Sequence, residues 1–180
     1  MLTRTTARRL TTLLLTSSAL ALAQAAIAQS LPEGASVTAG SASIDAGIAG
    51  AVTVRQASDR AVIDWRSFSV AQGNRVAFEQ PNATAASLNR VTGDTMSVIA
   101  GQIVANGQVY LINPHGIQIT STGTIDARSF IASTLALTNA DFLAGRVDLA
   151  GTGGTIRNDG LIRANKVALV GGTVEMAGRI

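Results

Sequence analysis

The sequence contains no cysteine and only one histidine, and aromatic residues make up 3% of its 180 residues. Without thiols, no disulfide can cross-link the fold and no thiolate can bind zinc. The single histidine, His115, cannot form an imidazole cluster, and it is the one possible base for a Ser-His-Asp arrangement. The sequence therefore predicts no catalytic residues, no metal and no cofactor. A fold of this composition must be stabilised by packing and hydrogen bonds.

Net charge is also absent once the N-terminal segment is set aside. The whole chain has a formal charge of +3 at pH 7. Three of its 14 basic residues (Arg4, Arg8 and Arg9) lie before residue 28, which leaves 11 basic and 11 acidic residues. The sequence shows neither a basic stripe for phosphates nor aromatic rings for base stacking. This argues against nucleic acid as a partner.

The N-terminal segment has the three parts of a secretory signal peptide. Its arginines precede a mostly aliphatic run at 10–22, and Ala26-Ile27-Ala28 supplies the small-x-small motif of a cleavage site before Gln29. Threonines, serines and a glutamine interrupt the segment, which makes it too polar for a stable membrane span. We expect a signal peptide over residues 1–28 with cleavage after Ala28, or alternatively after Ala23 or Ala25. Residues 29–180 then form one domain.

Apolar residues recur at every second position through the predicted domain, which is typical of half-buried β-strands. The pairs are Phe68 and Val70, Val76 and Phe78, Ile117 and Ile119, Val147 and Leu149, and Val167 and Leu169. One short helix is also predicted, with Asn139 as its N-cap, residues 140–144 as its body and Gly145 as its C-terminal stop.

Two repeats indicate a solenoid. The pattern G-T-[I/V]-x-x-x-G-x-I occurs at 154–162 and again 18 residues later at 172–180. A looser G-x-I-x-A occurs at 101, 123 and 160, at steps of 22 and 37 residues, which we interpret as one coil and about two coils. These lengths fit a parallel β-helix better than the alternative, a β-sandwich. The apolar positions predicted to point inward are Ile103, Ile125, Ile156, Ile162, Val167, Leu169 and Val174.

The second copy of the longer repeat stops at Ile180, which matches Ile162 in the first copy. A further coil would begin at this point. We therefore expect the domain to be truncated at its C-terminal end and to be the start of a longer protein. An uncovered last coil would also be able to self-associate through its open edge.

An ordered set of motifs carries a family resemblance. The motifs are IDWRSFSV at 63–70, VAFEQP at 76–81, SLNRVTG at 87–93, ANGQVYLINPHGI at 105–117, IASTL at 131–135 and ADFLAG at 140–145. In this order they resemble the amino-terminal secretion domain of two-partner-secretion exoproteins. That family includes filamentous haemagglutinin, the high-molecular-weight adhesins and contact-dependent inhibition toxins.

The resemblance implies an all-β fold, a right-handed parallel β-helix that begins just after the signal peptide. It further implies recognition in the periplasm by the POTRA domains of a cognate outer-membrane β-barrel transporter, followed by release at the cell surface or into the medium of a Gram-negative-type bacterium. Such a domain is a secretion and targeting module and not an enzyme. In this family, adhesive or toxic activity usually resides further along the exoprotein.

Three motifs are candidates for transporter recognition or for structural turns. Asn113-Pro114-His115-Gly116, followed by Ile117, has the residue order of a type I turn, with proline second and glycine fourth. The family usually has asparagine where His115 stands. Asn106-Gly107 is expected to form a second tight turn, and Asn89-Arg90 a third turn before Gly93. The residues alone leave both roles open, structural turn or direct contact.

Two other functions are alternatives to a secretion module. One is an adhesin that binds cells directly. The other is a glycan-cleaving β-helix enzyme, which would stack carboxylates on neighbouring coils. The 18-residue repeat instead places Asp159 against Ala177 and Arg157 against Glu175. Because no acidic column forms, the secretion module is the preferred interpretation.

Overall fold

The computed structural model describes residues 30–180. The predicted signal peptide at 1–28 lies outside the described residues. Within residues 30–180, one helix, α1 (Asn139–Leu143), accompanies the β-strands. The strands are β1 (Ser36–Ala39), β2 (Ala42–Asp45), β3 (Ala51–Gln56), β4 (Arg60–Trp65), β5 (Arg75–Glu79), β6 (Ala86–Val91), β7 (Ser97–Ile99), β8 (Gln102–Ala105), β9 (Gln108–Ile112), β10 (Ile117–Ile119), β11 (Thr124–Ser133), β12 (Ala136–Leu137), β13 (Leu149–Ala150), β14 (Thr155–Asn158), β15 (Leu161–Val170) and β16 (Thr173–Met176).

The strands wind into five stacked coils with three faces, so the predicted parallel β-helix is confirmed. The first sheet contains β3, β5, β8 and the first halves of β11 and β15. The second sheet contains β4, β6, β9 and the second halves of β11 and β15. The third sheet contains β7, β10, β14 and β16. Every pair within these stacks is parallel.

The repeats seen in the sequence set the register of the stacked strands. Ile103 pairs with Ile125, and Ile156 pairs with Val174, as the 22-residue and 18-residue steps predict. Ile125 also pairs directly with Ile162, 37 residues further on. The interpretation of that step as two coils was wrong. The step is one coil, and its additional residues, between β11 and β14, form an excursion outside the β-helix.

The interior of the coils holds one continuous apolar core. Of the seven positions predicted to point inward, Ile103, Ile125, Ile156 and Ile162 are buried in this core. Val167 and Leu169 pack against it but are only partly buried. Val174 is 40% exposed, contrary to the prediction. It stacks on Ile156 in the last described coil, where no described residue covers it.

A second core lies on the outer face of the second sheet. The excursion, which we define as residues 134–150, folds back over this face with β12, α1 and β13. The Phe142 ring meets the Tyr110 ring edge-on at 5.3 Å, and the Arg60 guanidinium lies 5.2 Å from the Phe142 centroid. Burial on both faces explains why β4, β6 and β9 do not alternate between apolar and polar residues. The other buried members of this core are Val62, Ala86, Leu88, Ile112, Ile131 and Leu137.

Helix and strand boundaries in the excursion differ from the predictions. Thr138, not Asn139, is the N-cap, because its hydroxyl accepts a hydrogen bond from the Asp141 backbone N–H at 3.1 Å. Gly145 follows the helix with φ +77°, which fits its predicted role as the stop. The alternation at Val147 and Leu149 does not mark a strand through both residues. Val147 is 50% exposed, and β13 begins only at Leu149.

Two antiparallel strands cover the N-terminal end of the solenoid. β1 pairs with β4 at the edge of the second sheet, and β2 pairs with β3 at the edge of the first. Their small residues alternate in exposure, and Leu31, Val37 and Ile44 pack against the interior core. This cap protects the first coil from edge pairing. The sequence patterns did not reveal it, since its strands are only four residues long.

Candidate functional site

The Asn113–Gly116 turn links β9 to β10, at the corner between the second and third sheets. The Gly116 N–H donates to the Asn113 carbonyl at 3.1 Å, which closes the predicted turn. The Asn113 side chain is fully buried. Its Oδ1 accepts from the His115 N–H at 2.9 Å, and its Nδ2 donates to the Thr95 carbonyl at 3.0 Å and to Ser97 Oγ at 2.9 Å. The carboxamide therefore both shapes its own turn and ties it to the preceding coil.

The tip of this turn is its exposed part. Pro114 and His115 are exposed, whereas Gly116 and Ile117 are buried. Gly116 has φ +110°, a backbone conformation that favours glycine. Ile117 begins β10, where it pairs with Ser97 on one side and Ile156 on the other. The histidine that departs from the family pattern thus presents its ring to solvent and makes no side-chain hydrogen bond to residues 30–180.

Asn106 and Gly107 form the corner between β8 and β9. This corner is not a hairpin, because β8 belongs to the first sheet and β9 to the second. The Asn106 carboxamide bonds the backbone of Gln80 in the preceding coil, accepting from its N–H at 2.8 Å and donating to its carbonyl at 2.7 Å. A Cβ at Gly107 would lie 2.6 Å from both the Ala85 carbonyl oxygen and Gln80 Oε1. The corner therefore requires glycine for close contact between coils.

Asn89 is not in a turn, contrary to the prediction. It lies within strand β6, fully buried, and its register partners on either side are Ile63 and Leu111. Its Oδ1 accepts from Trp65 Nε1 at 3.1 Å. Its Nδ2 donates to Ser87 Oγ at 3.1 Å and to the Tyr110 carbonyl at 3.2 Å. Asn89 thus joins three consecutive coils inside a mostly apolar interior.

Arg90, the next residue of β6, points to the opposite face and also lies in a strand. Its guanidinium contacts one oxygen of Asp64, its register partner, at 2.7 Å. It also donates to Asn139 Oδ1 at 3.1 Å, at the start of α1. Both charged side chains are more than two-thirds buried, so the pair is better shielded from water than a surface ion pair. Arg90 therefore fastens the excursion to the second sheet.

The excursion is further held by an acidic side chain at the helix start. The Thr138 hydroxyl and the Arg146 guanidinium, both bonded to the Asp141 carboxylate at 2.6 Å, lower the pKa of that carboxyl below its usual value. The hydroxyl has the larger effect, followed by the guanidinium. Asp141 therefore remains ionised and keeps α1 joined to the chain that follows it.

The predicted site residues do not converge on one surface. The Asn106 corner and the Asn113 turn lie at different corners of the same coil, and Asn89 lies inside the preceding one. Among residues 30–180, no group of three or more His, Cys, Asp and Glu side chains is placed to bind a metal ion. The part of the chain that the structure describes also has no helix long and apolar enough to cross a membrane. The shared property of the three motifs is that each makes hydrogen bonds between coils.

The partners of these asparagines were missed by the sequence reasoning. Ser97 lies 16 residues before Asn113, and Gln80 lies 26 residues before Asn106. Those separations are close to one coil. A search for polar side chains one coil away from each asparagine would have found both partners.

The fold and its inter-coil asparagines define the chain as a β-helical domain. The family model for the TPS secretion domain matches residues 28–180. The chain therefore belongs to the two-partner-secretion domain family, whose role is in protein export.

Solved and curated relatives agree with this membership. The crystal structure of the HMW1 secretion domain from Haemophilus influenzae superimposes with a TM-score of 0.74 and 34% sequence identity, over 79% of this chain and 40% of that one. A heme/hemopexin-binding protein from H. influenzae is 44% identical over 95 residues, and its counterpart in strain KW20 Rd is 41% identical over 109 residues. The matches cover 53% and 61% of this chain but only 10% and 12% of those relatives.

Proposed function

We propose that this domain directs the export of a longer exoprotein through a dedicated outer-membrane β-barrel transporter. The observation that carries the proposal is the match of the secretion-domain family over residues 28–180. In this proposal, residues 1–28 are the signal peptide that brings the chain to the periplasm, and residues 29–180 are the secretion domain. The POTRA domains of the cognate transporter recognise that domain there, and the exoprotein leaves for the cell surface or the medium.

Recognition takes place while the domain is at least partly unfolded. A stacked β-helix is too wide to pass through a barrel, whereas an extended strand can do so. Such a strand can also add to an exposed sheet edge by β-augmentation, with backbone hydrogen bonds giving affinity and alternate side chains giving selectivity.

The three motifs act mainly as structural ties between coils. Asn89 and Asn113 each make three side-chain hydrogen bonds, and Asn106 makes two with the backbone of the preceding coil. Among the residues of these three motifs, only Asn106, Pro114 and His115 are exposed and can contact a partner of the folded domain. The motif residues therefore support secretion by setting the fold that forms after export.

The domain performs no catalysis in this proposal, and the activity of the exoprotein lies outside it. The match to a tenth of the heme/hemopexin-binding relatives carries no haem-binding assignment for this chain. In isolation, residues 30–180 are expected to self-associate through the last described coil, where Val174, Met176 and Ile180 are exposed beside a strand edge that no described residue pairs.

Co-expression with the transporter tests the proposal. The chain should reach the medium only when its cognate transporter is present, and a transporter without POTRA domains should leave it in the periplasm. In a binding assay, isolated POTRA domains should capture the urea-unfolded chain better than the refolded chain. Equal release without the transporter would contradict the export role. Stronger capture of the folded chain would contradict recognition in the unfolded state alone.

A further inference from the structure

The excursion reaches back over coils that precede it in the chain. It leaves the solenoid after β11, in the fourth coil. Arg60 of β4, in the first coil, donates from Nη1 to the Phe142 carbonyl at 2.9 Å, across 82 residues of sequence. Arg90 of β6, in the second coil, donates to Asn139 Oδ1, and the Tyr110 ring of β9, in the third coil, meets the Phe142 ring. One short segment therefore contacts three coils that were complete before it in the sequence.

These contacts join coils that are not neighbours in the stack. In a plain solenoid, each repeat contacts only the repeats next to it. Within the stack, β4 of the first coil pairs in parallel with β6 of the second, and the fourth coil lies two coils further on. The excursion connects the first coil to the fourth directly. The local stability of the first coil should therefore depend on residues 134–150.

The surface that the excursion covers is a column of apolar side chains on the outer face of the second sheet. Val62 pairs with Leu88, Leu88 with Tyr110, and Tyr110 with Ile131, so one register row crosses four coils. All four side chains belong to the outer core, together with Phe142, which is 1% exposed. Because the row exists only when the four strands are paired, the excursion has no complete surface to pack against before the coils stack.

The interior core does not need the excursion. None of the residues 134–150 contributes to it, either as a buried member or as a partly buried neighbour. The first four coils can therefore stack on their interior side chains alone. Packing of the excursion comes afterwards, since it depends on the stacked strands and they do not depend on it.

From these observations, we propose that the excursion is a strap that closes last in folding and holds the first four coils against unfolding. Interactions that form after the transition state slow unfolding and leave the folding rate almost unchanged. For a chain exported as proposed above, this strap keeps the domain from reopening once it has folded outside.

Unfolding and refolding rates in urea, measured on the exported chain at low concentration, test the order of closure. Phe142→Ala should speed unfolding by about a hundredfold or more, as expected for a buried phenylalanine whose contacts form late, and the refolding rate should stay within about twofold. The matched control is Leu143→Ala on the same helix, which should change neither rate because Leu143 is 44% exposed. Asn139→Ala removes only the acceptor for Arg90 and should speed unfolding by about tenfold.

Hydrogen exchange followed by mass spectrometry tests the link between the first and fourth coils. The excursion contacts β4 of the second sheet, whereas β7 lies in the third sheet, away from it. Phe142→Ala should therefore increase exchange in β4 more than in β7, because the first coil can then open by itself. In the wild type, both strands should exchange only when the whole domain opens.

The proposal requires both results. It is overturned if Phe142→Ala changes the refolding rate more than the unfolding rate, because the excursion would then form early. Equal increases of exchange in β4 and β7, or an equal effect of Leu143→Ala, would also overturn it. If Phe142→Ala does not fold, Asn139→Ala decides the question by the same two measurements.

Discussion

Replacement of Asn113 by alanine separates a structural role of the turn from direct recognition by the transporter. The change removes all three side-chain hydrogen bonds of a fully buried residue. At about 1 kcal/mol for each bond, and more where a buried partner is left unsatisfied, the free energy of unfolding should fall by about 3–5 kcal/mol. In a domain of this size, each kcal/mol lowers the melting temperature by about 2–4 °C, so a drop of about 6 °C or more is expected.

The same substitution at Asn106 provides the matched control. Its two bonds also tie neighbouring coils, but the side chain is exposed, and water can satisfy the Gln80 backbone after the change. Asn106→Ala should therefore cost about 1–2 kcal/mol. Thermal melting followed by circular dichroism, together with the amount of chain released into the medium by cells that carry the transporter, measures both effects.

If the turn is structural, secretion should decrease in the same order as stability, with Asn113→Ala more affected than Asn106→Ala. An Asn113→Ala chain that melts like the wild type but is not released would refute this reasoning. That outcome would mean that the transporter reads the carboxamide itself before the coils close.

Three further predictions concern single side chains. His115→Asn restores the residue usual in the family at an exposed position, so secretion should be equal or better and the melting temperature unchanged; loss of secretion by a folded variant would show that the imidazole is used. Ile103→Ala should lower the free energy of unfolding by about 2–5 kcal/mol in denaturant titrations, because it opens a cavity in the core, whereas Val174→Ala at the exposed last coil should cost far less. Asp141 has a lowered pKa in the fold, so it stabilises the protein above the unfolded-state pKa and loses that effect as the pH falls through the folded-state value. Asp141→Asn should therefore melt lower than wild type at neutral pH, and the difference should begin to shrink below about pH 4 and vanish only below the folded-state pKa.

The solenoid was predictable because its repeats determine the register directly. An isoleucine that returns after 18 or 22 residues must stack on its predecessor if both coils are to bury it, and the pairs of Ile103 with Ile125 and of Ile156 with Val174 follow. The step from Ile125 to Ile162 was misread because spacing alone cannot tell two short coils from one coil with an excursion.

The roles of the asparagines were harder to predict, because the same residue type serves in turns and in coil-to-coil ties. Asn113 does both, and its turn was predicted from the neighbouring proline and glycine. Asn89 makes only ties, with Trp65 and Tyr110 on the coils on either side. No local pattern marks such a residue, since its partners lie about one coil away in sequence. The N-terminal cap, formed by β1 and β2, was also not predicted, because short strands of small residues give little hydrophobic periodicity.

For protein engineering, the useful property of the excursion at 134–150 is that its length can change without changing the spacing of the stacked coils. β11 and β15 stay in register although the excursion lies between them in the sequence. The pairing of these strands therefore does not depend on the number of residues in the excursion. Its tip at 144–148 faces solvent, whereas Phe142 and Leu149 anchor its two sides. A foreign peptide grafted into the tip should be displayed without disturbing the coils. Deletion of the whole excursion should instead expose Leu88 and Tyr110 and cause aggregation.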